Sequence, residues 1–149
     1  MEIREITQHK KQYFDLLYLA DEQEDMIDRY LERGTLFALY EENQLKAVSV
    51  VTLEGEGVCE IKNIATYPAE QRKGYGKRLV TFLFEYYKPS CTTMLVGTGD
   101  FPSTLLFYEH CGFTISHRVE NFFIDHYDHP IYEEGEQLID MVYLKKTLR

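Results

Sequence analysis

The chain has 149 residues, 44% of them hydrophobic and 28% charged, with a formal net charge of −9. That length suits one domain, residues 1–149, with a core of its own, and the composition is globular rather than disordered. The acidic balance argues against a general nucleic-acid binder, which relies on basic surface.

No run approaches the ~18 apolar residues of a membrane span, and Met-Glu-Ile-Arg-Glu-Ile lacks the regions of a signal peptide. Three cysteines, Cys59, Cys91 and Cys111, are an odd number without metal-ligand spacing. They fit reduced core residues, and a cytoplasmic location is expected.

In chain order, Glu2 to Ile6 reads as a short strand. Lys10 to Ala20 reads as a helix with Tyr13, Phe14, Leu16, Leu17 and Ala20 on a broad apolar face. Asp21 can cap a second helix over Glu22 to Arg33, stopped by Gly34. Thr35 to Tyr40 and Leu45 to Leu53 form a hairpin around Asn43. Gly55 and Gly57 turn the chain into a strand from Val58 to Thr66. Pro68 biases Tyr67 away from helix, and Gly74 to Tyr87 reads as a helix ended by Pro89. Next come a strand over Cys91 to Gly97, a turn over Gly97 to Asp100 and a short helix from Ser103 to Cys111. Phe113 to Val119 is a strand, 121–137 a long connection, and Leu138 to Lys145 the last strand.

The most informative stretch is Gln71-Arg72-Lys73-Gly74-Tyr75-Gly76-Lys77, between a strand and a helix. Glycine lets the backbone approach a ligand and take positive φ. The first helical N–H groups have no partner within the helix, and the helix dipole favours an anion there. Arg72, Lys73, Lys77 and Arg78 add positive charge in an otherwise acidic chain, so a phosphate group fits. A P-loop would need glycine at Gln71 and Ser or Thr at Arg78; a dinucleotide fingerprint would need glycine at Leu79.

What remains, Gln-x-x-Gly-x-Gly, resembles the pyrophosphate loop of the GNAT superfamily of acyl-CoA-dependent N-acetyltransferases. A second stretch, Phe107-Tyr108-Glu109-His110-Cys111-Gly112-Phe113, resembles that family's Phe-Tyr-x-x-x-Gly-Phe motif, helix into strand. The order of elements is similar to the family's along essentially the whole chain. The resemblance implies an α/β (α+β) GNAT fold: a central mixed, mostly antiparallel, splayed sheet flanked by helices.

It also implies an enzyme that moves an acetyl group from acetyl-CoA, as co-substrate, to a primary amine by direct attack in a ternary complex. The fourth and fifth strands would splay around the pantetheine arm, whose amides would pair with the backbone of Ile64, Ala65 and Thr66. The pyrophosphate would sit on the amides of Gln71, Arg72, Lys73, Gly74, Tyr75, Gly76 and Lys77. Many members carry an Asn before the next helix. Here Ser103 stands near that place, either substituting for it or capping the helix.

An amine with a pKa of ~10.4 is mostly protonated at neutral pH, so a base or a chain of water is needed. Glu60 resembles the placement of the glutamate base in histone-acetylating members. As a carboxylate of ordinary pKa ~4.3 it would need burial to serve, and its plain alternative is a strand residue paired with Lys62. Tyr108 is the candidate acid for the departing thiolate; otherwise it is a core tyrosine.

Two acidic clusters fall where the family admits the acceptor: Asp21, Glu22, Glu24, Asp25 and Asp28, and a stretch from Val119 to Leu144 without Lys or Arg. Carboxylates interleaved with aromatic residues suit a cationic amine, although solvated surface reads the same way. Adjacent His and Asp residues over 125–129 are weak evidence for a metal, and none is expected. The expected partner is a small-molecule or peptide amine, with no nucleic acid and no membrane; a homodimer stays open. A protein-lysine acetyltransferase and a catalytically idle acyl-CoA-binding module are the other readings.

Overall fold

The computed structural model describes residues 1–149. Its main strands are β1 (Glu2–Ile6), β2 (Thr35–Glu41), β3 (Gln44–Gly55), β4 (Val58–Thr66), β5 (Thr93–Gly99), β6 (Thr114–Val119) and β9 (Met141–Thr147). These seven form one sheet in the order β1-β2-β3-β4-β5-β9-β6. Only β4 and β5 run parallel; every other neighbouring pair is antiparallel.

Helices cover both faces. A 3-10 turn (Lys10–Tyr13), α1 (Phe14–Ala20) and α2 (Glu24–Asp28) bury Leu16, Leu17 and Ile27 against Leu36, Val48, Val50 and Ala65. On the other face, α3 (Tyr75–Tyr87) and α4 (Pro102–His110) bury Leu79, Leu83 and Tyr108 against Ile61, Met94, Val96 and Leu144. The apolar spacing of α3 explains its seat: Leu79, Val80, Leu83 and Tyr87 fall on one side of the helix. No helix is long and apolar enough to cross a membrane.

The β3–β4 ladder shifts register in its middle. Val50 faces Asn63 while its neighbour Val51 faces Ile61, so Lys62 is the extra residue of a bulge. Before the bulge, Cys59 and Ile61 join the α3 core; after it, Ala65 joins the α1 core and Asn63 bonds into it. The bulge thus turns the second half of β4 over.

The β4–β5 ladder stops at Ile61 opposite Val96. Beyond it both strands continue, β4 to Thr66 on β3 and β5 to Gly99 on β9. The sheet therefore opens between them, as the resemblance implies.

Several local expectations are corrected. The second helix keeps only Glu24–Asp28, because Asp21 ends α1 instead of capping α2, and Gln23 takes the N-cap position. The Lys10 ammonium, buried beneath, donates to the carbonyls of Leu31, Glu32 and Gly34 at 2.7–3.2 Å, closing the chain after α2. Gly97–Gly99 is strand, not turn: these glycines admit neighbouring side chains, and a β-carbon at Gly99 would stand 2.6 Å from Leu138 Cδ1. The long connection contains α5 (Phe122–His126) and a small hairpin of β7 (Tyr132–Glu133) and β8 (Glu136–Gln137).

Candidate active site

A cavity of about 860 Å³ runs through the opening between β4 and β5. One end is the turn before α3. Gly74 takes the left-handed conformation at φ 85, as its residue type allows, and so does Arg72 at φ 65, which L-residues rarely adopt. The first bond of α3 runs from the Arg78 N–H to Gly74 O, 3.0 Å. The N–H groups of Tyr75, Gly76 and Lys77 therefore precede the helical ladder and are free for an anion. Tyr75 ties this helix start to the end of β2 by donating to Glu41 Oε2 at 2.6 Å; that bond pushes the Tyr75 phenol up to about 12.

Gln71, Arg72, Gly74, Tyr75, Gly76 and Lys77 line the cavity. Lys73 does not; it pairs with Glu70 at 3.0 Å and borders a neighbouring groove with Lys77 and Arg78. Ile64 and Thr66 line the cavity, whereas the Ala65 side chain turns into the α1 core. Ser103 lines it too, and the start of α4 has no side-chain cap, so the Ser103 hydroxyl is not spent on the helix.

Tyr108 reaches the cavity from α4, its ring set edge-on between Phe107 and Phe113 at 5.1 and 5.7 Å. Burial, above all, raises its pKa, so it stays a protonated donor. Glu60 is not a lining residue, although the next two, Ile61 and Lys62, are. Its carboxylate is buried and held by Lys62 Nζ at 3.0 Å, and the Tyr143 hydroxyl lies at 3.4 Å.

The other end of the cavity is closed by the β6–β9 connection. Gln23 pins that segment by donating to His126 O at 3.3 Å and accepting from the Asp128 N–H at 2.8 Å. Thr104 of α4 donates to Glu133 at 2.9 Å. Phe123, Tyr127, Ile131 and Leu138 face inward from this cover.

The acidic clusters separate here. Glu24 and Asp28 are both taken by Lys11, at 2.8 and 2.7 Å, and Asp140 by Arg118 and the Asn121 N–H. Only Asp21, Glu22, Glu133 and Glu134 line the cavity. Asp21 is the most constrained: the Tyr127 hydroxyl donates to Oδ1 at 2.6 Å and the Tyr30 hydroxyl to Oδ2 at 2.8 Å. Burial outweighs those bonds and raises its pKa above the ordinary carboxylate value. Tyr30 also accepts from Asn63 Nδ2 at 3.0 Å.

Residue type alone hid these partners. Tyr30 reads as an apolar helix-face residue, Tyr127 as one aromatic among several, and Asn63 carries no motif. In the 125–129 stretch, His126 Nδ1 bonds Phe122 O and His129 Nδ1 bonds Asp128, so the two imidazoles are engaged apart.

An opened parallel pair, an anion turn at one mouth and a carboxylate at the other define a two-substrate transfer site. The model of the GNAT acetyltransferase family matches residues 2–113, and the chain belongs to that family. It is a GNAT acetyltransferase acting with acetyl-CoA. It is 40% identical over 133 residues to the uncharacterised N-acetyltransferase YvbK of Bacillus subtilis, covering 88% of this chain and 86% of that one. A Bacillus subtilis acetyltransferase solved in complex with CoA superposes with a TM-score of 0.91 at 37% identity, covering 99% of both chains. A GNAT family acetyltransferase of Elizabethkingia anophelis with acetyl-CoA bound gives 0.93 at 32% identity, covering 98% of this chain and 97% of that one.

Proposed function

We propose that this acetyltransferase acts on a small primary amine carrying positive charge, by direct attack within a ternary complex. The observation that carries this reading is the continuous cavity. Its lining includes the anion turn of α3, Tyr108 and the carboxylates of Asp21, Glu22, Glu133 and Glu134.

In this reading the pyrophosphate lies on the N–H groups of Tyr75, Gly76 and Lys77, with Arg72 and Lys77 as counter-charges. The pantetheine amides pair with the backbone of Ile64, Ala65 and Thr66, whose β5-facing side is unpaired in the opening. Ser103 supplies a hydroxyl at the same wall. The neutral amine attacks the thioester carbon, the C–N bond forms, the C–S bond breaks, and Tyr108 donates its proton to the thiolate. Burial raises the pKa of Tyr108, and desolvation in the same cavity raises that of the leaving thiol too, which makes the thiolate a stronger base for the Tyr108 proton.

The cover over the acceptor end favours a small amine over a lysine on a folded protein. Phe123, Tyr127 and Leu138 leave a walled space there, held through Gln23 and Asp21. The base keeps two candidates in this reading, Glu60 or water. Residues 1–149 act as one catalytic domain, in the cytoplasm.

The test is coenzyme A release by the wild-type protein from acetyl-CoA with n-butylamine, putrescine, benzylamine or a lysine-containing peptide. Release that depends on a small cationic amine is expected. Binding of acetyl-CoA without amine-dependent release would make the chain an idle binding module, and preference for the peptide would favour protein-lysine acetylation.

A further inference from the structure

We infer that Asp21, clamped by the Tyr30 and Tyr127 hydroxyls beside the unpartnered Asn63 side-chain oxygen, seats the acceptor's primary ammonium and takes its proton. This rests on the transferase reading above and names a base it leaves open.

The carboxylate is built into place. Each of its oxygens accepts one tyrosine hydroxyl, Tyr127 on Oδ1 at 2.6 Å and Tyr30 on Oδ2 at 2.8 Å, and each keeps a lone pair. The two tyrosines come from opposite sides, one from the turn after α2 and one from the end of α5, 106 residues from Asp21. Such a frame fixes the direction of the remaining lone pairs.

Asn63 is the independent observation. It lines the cavity at 4% exposure, and its Nδ2 donates to Leu17 O and to the Tyr30 hydroxyl, both at 3.0 Å. Those two bonds orient the amide, and they leave Oδ1 as the buried side-chain polar atom without a partner. A buried acceptor left unpaired is costly, and a donor entering the cavity satisfies it. Asn63 stands two hydrogen bonds from Asp21, through Tyr30. Two acceptors on Asp21 and one on Asn63, linked through Tyr30, equal in number the three N–H bonds of a primary ammonium.

The proton transfer balances. Asp21 accepts one proton from R–NH₃⁺, leaving R–NH₂ to attack the thioester. The second proton leaves the nitrogen for water and, through water, replaces the one that Tyr108 gives to the thiolate, so Tyr108 ends as it began. The Asp21 proton passes to solvent after product leaves. In water an ammonium near ~10.4 would not yield to a carboxylate near ~3.9. Desolvation moves both toward their neutral forms, raising the acid of Asp21 and lowering that of the amine. Glu22 and Asp25 act in the same direction on Asp21; of the cations around it, Arg29 lowers the Tyr127 phenol, and Lys62, which lines the same cavity, is paired with Glu60.

The experiment follows kcat/KM for n-butylamine against pH in the wild type, Asp21→Asn, Tyr127→Phe and Glu60→Gln. Asp21→Asn is expected to lose at least ~10²-fold at pH 7, the usual scale of a positioned base. Its rate should climb with pH in proportion to free amine, and acetyl-CoA affinity should hold. With a fluorinated amine already neutral at pH 7 the deficit should shrink toward none. Tyr127→Phe should give a smaller loss with the same pH signature, which keeps the test open if Asp21→Asn fails to fold. Wild-type kcat/KM in Asp21→Asn, an equal deficit with the neutral amine, or the pH signature moving to Glu60→Gln would overturn the inference while leaving the transferase intact. No turnover by the wild type with any amine would remove the transferase reading itself.

Discussion

Gly76 lies directly beneath Phe107: a β-carbon there would stand 3.3 Å from the ring's Cζ. This contact presses the first turn of α3 against α4, so the anion turn and the helix carrying Tyr108 are one wall of the cavity. Acetyl-CoA should raise the melting temperature by mass action, about 2.7 kcal/mol of stabilisation at 100 times Kd. Gly76→Asp should abolish that shift, by crowding Phe107 and placing a negative charge where the phosphates lie. Gly74→Ala is the informative contrast. A β-carbon at Gly74 meets nothing within 4 Å, but the residue is left-handed. It should therefore cost about 1–2 kcal/mol of stability while keeping binding. Calorimetry showing no acyl-CoA bound at millimolar concentration would remove the cofactor assignment.

Tyr108→Phe separates catalysis from packing. The ring stays between Phe107 and Phe113 and only the hydroxyl is lost. The expected result is a fall in kcat of roughly 10²-fold or more, with coenzyme affinity nearly unchanged. Wild-type turnover in a folded variant would return Tyr108 to the core.

Charge at the acceptor end should be read through the residues that face it. Replacing Asp21, Glu22 and Glu133 together by Asn and Gln should raise the amine KM and weaken its salt dependence, since screening acts over ~10 Å at 0.1 M salt. Asp140→Asn should leave the KM alone and lower the melting temperature, because Asp140 serves Arg118 and the Asn121 N–H. If Asp140→Asn raises the KM as much as the triple change, the cavity is not where the amine is selected.

Asp21 also predicts a pH dependence of stability. Its folded pKa is raised, so the folded state binds this proton more readily than the unfolded chain. The stabilisation is complete below the ordinary carboxylate pKa of ~3.9 and is lost as pH rises through the folded value. The melting temperature of the wild type relative to Asp21→Asn should therefore fall as pH rises above the ordinary carboxylate pKa of ~3.9. A difference that grows with pH would mean that the two tyrosine bonds to the ionised form outweigh burial.

Local chemistry in the sequence determined the frame. β-Branched and apolar alternation set β4 at Val58–Thr66, and the Gly74 turn and apolar stripe of Tyr75–Tyr87 set the anion end. These signals are short-range: propensity, periodicity and the freedom of glycine all act within a few residues. Arg72, left-handed without being glycine, already escapes them. Gly97 and Gly99 escape too. Their composition says turn, but β9 and Leu138 press against them, and only the pairing of distant strands makes that visible. The bulge at Lys62 is likewise a property of the β3–β4 ladder, and it decides that Asn63 faces Tyr30. The tertiary structure alone chose among the carboxylates. It spent Glu24 and Asp28 on Lys11 and Asp140 on Arg118, and left Asp21 half-buried between two tyrosines. Charge is written residue by residue, but desolvation and partners, which give a carboxylate its chemistry, exist only once the chain has closed around it.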